Sequence, residues 1–117
     1  MQILETLGAQ GEVRCFRINA IPQGAKPIKK ENGHWVIGHS ESGHHHCLFA
    51  EKAKVFESPN APEGMRVLYA ILDGPGELKH MRDFDTHAPH VFEAGVYAFR
   101  MDREYDHYEK LARAVAD

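Results

Sequence analysis

The sequence predicts a mainly β domain, a small single-domain barrel or sandwich with one short C-terminal helix. Three observations lead there. About six to eight short runs of β-branched and aromatic residues recur along the chain, parted by Gly-, Pro-, Asn- and Ser-rich turns roughly every 8–12 residues. The period lengthens to a helical one only after Arg103. The composition, 43% hydrophobic and 26% charged over 117 residues, is that of one globular domain and not of a disordered chain. The reading is one domain over 1–117, with strands over about 12–101 and the helix over about 103–115.

Each element has its own reason. Glu12–Asn19 (EVRCFRIN) is rich in β-formers and reads as the first strand. IPQGAKPIKKENG follows, with two prolines, two glycines and three lysines, and reads as a mobile loop. His34–His39 (HWVIGH) and His44–Glu51 (HHHCLFAE) flank the turn-rich SESG and read as a hairpin. Ala53–Glu57 continues as strand until SPNAPEG breaks it. Met65–Asp73 (MRVLYAILD) has the continuous apolar character of a strand buried on both faces. DGPGE turns into a weaker strand at Leu78–Met81, and RDFDTHAPH is polar and irregular. Gly95–Met101 (GVYAFRM) alternates as a last strand. Tyr105, Tyr108, Leu111, Ala112 and Val115 then fall at helical spacing, with Asp102 placed to cap the helix.

Charge and cysteine content narrow the function classes. The net charge is −3 and the pI about 6.3, so there is no basic excess to neutralise phosphates, and nucleic acid is not an expected partner. No apolar run approaches the roughly 18 residues that span a bilayer, and MQILETLGAQGEV lacks the basic start and apolar core of a secretory signal. Cys15 and Cys47 form no framework and read as reduced thiols, which suits the cytoplasm.

Nine histidines are the unusual feature. With Glu41 and Ser42 at the centre of the hairpin turn, His39 faces His44 and Ile37 faces His46. Opposed residues share a face, as do residues two apart on a strand, so His39, His44 and His46 converge. Imidazoles so placed can hold one ion at about 2.0–2.1 Å. Glu-Ser is not a favoured two-residue turn, and Gly43 fits a longer loop with a bulge; a one-residue slip then removes His39 from the shared face. His44 and His46 stay together in either register. His87 and His90 in THAPH, with Glu51 and Asp85, are the further donors. Imidazole with carboxylate suits Zn, Ni, Fe or Mn. Cys47 reads as a small buried hydrophobe and not as a nucleophile.

Gly38, HSESG, His44-His45-His46, CLFA and Glu51 resemble the first metal motif of the cupin superfamily. The resemblance implies a cupin-like barrel with His44, His46 and Glu51 as ligands. Ser58 stands where that motif has a later glycine, and the second motif is not found, so His87 or His90 would replace its histidine. A second resemblance covers more of the chain: Gly11–Val13, Gly38–His46, His87–Pro89, Gly95–Tyr97 and Arg103–Tyr105 are similar to a group of small uncharacterised bacterial and phage-associated proteins. It implies that His44, His46 and His87 form one unit, with His90 the weaker ligand. Gly43-His44-His45 also matches the letters of the His-Me finger nucleases, but the helix those enzymes need after the hairpin is not in the pattern.

Two functions fit. One is a metal-binding β-barrel in which His44, His46 and one of His87 or His39 hold the ion, with Glu51 as a further ligand. As an enzyme it would act on a small-molecule substrate through an open coordination position. The other is a non-enzymatic structural or phage-associated interaction module, or a homodimer, whose histidine face is a contact surface. Fold class alone does not separate them.

Overall fold

The computed structural model describes residues 1–10, 13–38, 45–61, 65–81 and 90–102. Among them the strands are β1 (Ile3–Gln10), β2 (Val13–Ile18), β3 (Lys26–Ile28), β4 (Trp35–Gly38), β5 (His45–Ala50), β6 (Ala53–Glu57), β7 (Met65–Leu72), β8 (Gly76–Met81), β9 (His90–Phe92) and β10 (Gly95–Asp102). They form two antiparallel sheets, one ordered β1-β2-β10-β7-β6-β3 and the other β4-β5-β8-β9. Each sheet ends on two different strands, so no closed barrel forms among the described residues. Of the two expected architectures, the sandwich is the one built. The expected helix over 103–115 lies outside the described residues.

The core lies between the sheets. Val13, Cys15, Leu68, Ala70, Leu72, Tyr97, Phe99 and Met101 from the larger sheet meet Trp35, Ile37, Leu48, Leu78 and Phe92 from the smaller. These residues recur at every second position because alternate side chains share a face. The larger sheet is also covered behind, where Phe16, Ile18, Val67, Tyr69 and Ala98 form a second cluster under Ile21, Ala25, Phe56 and Ala61. That double coverage explains the unbroken apolar run of β7.

Three local expectations need correction. A strand precedes the expected first one: β1 pairs with β2, but its register shifts between Ile3 and Glu5 and again between Thr6 and Gly8. Those irregularities erase the two-residue period that announces a strand. The lysine-rich loop holds β3, which pairs with β6 at the edge of its sheet, where Pro27 is tolerated. The same loop ends in a tight turn. Glu31 and His34 exchange backbone hydrogen bonds of 2.7 and 3.2 Å around Asn32 and Gly33, whose φ values are 52° and 86°. Asn-Gly with both φ positive is the favoured two-residue hairpin turn.

Candidate functional site

The β4–β5 hairpin forms as the sequence suggests, with a changed register at its tip. Trp35 faces Leu48 and Val36 faces Cys47; the pairing then shifts by one, so that Gly38 and not Ile37 stands opposite His46. The extra residue is a bulge at Ile37. Ile37 still enters the core. Gly38 also faces inward, since a β-carbon there would overlap the Met101 Sδ and lie 3.4 Å from the Val13 Cγ2. This is the one-residue slip that the sequence reading weighed. The turn that carries His39 and His44 lies outside the described residues.

His46 is buried, with 3% of its surface exposed, and is the polar side chain so buried among the described residues. It lies two residues from Leu48, on the face that fills the core. Across β8, position 46 is in register with position 80, as Leu48 is with Leu78. Two histidines therefore occupy one row of the sheet, an alignment the sequence reading missed. The signal was present in the alternation of Leu78 and His80, but their partner strand lies some thirty residues away. His90 is in register with Leu78, and its Cε1 would be 3.7 Å from a β-carbon on Gly8 of β1.

Strand direction sets which segments attach at this end of the sheet. β4 ends at Gly38, β5 begins at His45 and β8 ends at Met81, with His45 opposite Met81. All three termini lie at one end of the smaller sheet, so segments 39–44 and 82–89 are attached there. His39 and His44 belong to the first segment and His87 to the second; all three lie outside the described residues.

Glu51 is placed differently. It is exposed, just past the far end of β5, after the strand has run roughly 13 Å from His46 at about 3.3 Å per residue. There it lines an open groove of about 560 Å³ with Lys30, Gly33, Phe49, Glu77 and Val91. Lys30 Nζ lies 4.6 Å from the Trp35 ring, and Lys79 Nζ 5.0 Å from that of Phe49. The structure thus sets His46 and Glu51 at opposite ends of one strand. Among the described residues no three His, Cys, Asp or Glu side chains are grouped to hold an ion.

The bulged edge of β4 is held from the other sheet. Arg66 of β7 donates through Nη1 to the carbonyls of Val36 and Ile37 at 3.1 and 3.2 Å, and through Nε to Glu57 Oε1 at 3.1 Å. Cys15 and Cys47 are free and buried. Burial pushes the Cys15 thiol up to about 12. Burial, reinforced by the charge of Glu31, pushes that of Cys47 up to about 11. Both stay protonated near neutrality, and neither is a nucleophile there.

No helix among the described residues is long and apolar enough to cross a membrane. No curated protein and no solved structure matches the chain. A family model described as "Domain of unknown function (DUF8820)" matches residues 9–102, from the end of β1 to the end of β10, and the chain belongs to that family.

Proposed function

We propose that this domain binds a transition-metal ion at the histidine-bearing end of its smaller sheet, with His46 as the anchoring ligand. The observation that carries the reading is the buried imidazole of His46, in register with His80, at the sheet end where segments 39–44 and 82–89 attach. A buried imidazole is held in one orientation, as a metal ligand must be. His44, two residues from His46, and His87 complete the set, and His80 supplies a further donor. Glu51 is left out, because β5 carries it to the opposite end. Imidazole donors suit Zn, Ni, Fe or Mn. With three protein ligands, an open position would polarise a small-molecule substrate or generate hydroxide. The reduced, buried Cys15 and Cys47 fit a cytoplasmic setting.

Metal analysis and a thermal melt test this. Untagged protein is expected to carry about one equivalent of metal and, after stripping, to gain roughly 2.7 kcal/mol at 100 times the dissociation constant. Joint replacement of His44 and His46 by Ala should remove that gain. A folded chain that holds no transition metal, and whose melt ignores all four ions, would sink the reading.

A second reading draws on β1. This eight-residue strand is one of the two outer strands of the larger sheet among the described residues, and its Ile3 and Leu4 are 45% and 55% exposed. Long apolar edges invite strand pairing with another chain. A non-enzymatic bacterial or phage-associated interaction module, or a homodimer, would use that edge. Sedimentation separates the readings: a dimer that survives metal removal and dissociates on Leu4→Lys favours the second.

A further inference from the structure

We infer that the ion this site prefers is Cu(I), with the Met101 thioether joining His46 as a donor; the inference rests on the metal-binding reading above.

The argument begins at Gly38. It stands opposite His46, and Met101 Sδ fills the space that a β-carbon at position 38 would take. Opposed β-carbons in an antiparallel pair lie about 4.5–5.5 Å apart, and the sulfur overlaps the position-38 one, so it sits roughly 3–8 Å from the β-carbon of His46. That separation lets an imidazole nitrogen and the sulfur meet at one point between the sheets. Both side chains are buried, each 3% exposed. Any residue larger than glycine at 38 would push the sulfur away.

Two physical effects then select the ion. Thioether sulfur is a soft donor, and soft donors favour Cu(I) over the harder divalent ions. Charge acts in the same direction. The cost of burying an ion rises with the square of its charge, and imidazole and thioether are neutral ligands. Among the described residues, Glu57 is paired at 3.1 Å with Arg66, the arginine that also holds the edge of β4. A singly charged ion is therefore better tolerated than a doubly charged one.

The test titrates the metal-stripped full chain without oxygen, using Cu(I) buffered by bathocuproine and, separately, Zn(II). The native sequence is expected to take about one equivalent of Cu(I). Met101→Leu should weaken Cu(I) binding by roughly tenfold or more, the equivalent of about 1.4 kcal/mol, while changing Zn(II) affinity by less than about twofold. If Met101→Leu leaves Cu(I) affinity alone, or weakens both ions equally, the thioether is not a ligand and the histidine reading survives. If the folded native chain binds neither ion, both ideas fall together. Should Met101→Leu fail to fold, selenium-edge X-ray absorption decides. A selenomethionine-labelled, Cu(I)-loaded chain carrying both Met65→Leu and Met81→Leu is expected to show copper bonded to selenium; no such shell overturns the inference.

Discussion

A single missing methyl group controls the tip of the β4–β5 hairpin. Gly38→Ala would place a β-carbon on the Met101 Sδ, with Val13 Cγ2 in contact at 3.4 Å. Overpacking of this kind costs about 1–3 kcal/mol, and denaturant unfolding should show it. The cysteines give a second residue-scale prediction. The Cys47 thiol is raised from 9.0 to about 11 and that of Cys15 from 9.0 to about 12, so folding favours the protonated forms. Their contribution is complete below pH 9 and is lost as the pH rises through the folded values. The unfolding midpoint should hold steady from neutrality to about pH 9 and fall above it. Cys47→Ala should flatten part of that fall; an alkaline limb unchanged by both Cys47→Ala and Cys15→Ala would contradict the assignment.

At the scale of elements, the bulged edge of β4 depends on one guanidinium. Arg66→Leu removes donors from the Val36 and Ile37 carbonyls and leaves Glu57 without its partner. The expected loss is about 1–3 kcal/mol. Hydrogen exchange should quicken first in the β4–β5 hairpin, and uniform quickening across both sheets would count against a local role. Arg66→Lys should restore little, because an ammonium cannot span two carbonyls and a carboxylate as the fork does. How well each element could be read in the sequence followed the kind of signal it carried. β7 was legible because both its faces are covered, and the β4–β5 hairpin because both strands are short β-like runs about a turn. β1 was not, because its bulges break the alternation. The turn at Asn32-Gly33 was legible and overlooked, hidden among lysines and prolines that suggested a loop.

The candidate site is a property of the whole molecule. Local pattern showed His44 and His46 as alternate positions on one extended segment. It could not show His80 beside His46, because β6 and β7 leave for the other sheet before β8 returns to pair with β5. Nor could it show that Glu51, near in sequence, is carried away by the length of β5, or that Met101 approaches from the opposing sheet. Pairings between distant segments are set by global topology, and short-range periodicity is blind to them. The same topology makes the metal reading separable from stability. Phe99, Leu48, Leu68 and Leu78 fill the centre of the core, while His46 lies at its end. His46→Gln should therefore keep a cooperative unfolding transition while weakening metal affinity by at least roughly tenfold.

The most direct measurement follows the imidazole nitrogens themselves. In an ¹⁵N-labelled full chain titrated with Zn(II) or Cu(I), the ring resonances of His46, assigned by their loss in His46→Gln, should move to metal-bound positions and stop moving near one equivalent. If those resonances stay in place at saturating metal while the protein remains folded, His46 is a core histidine and the metal-binding account is wrong.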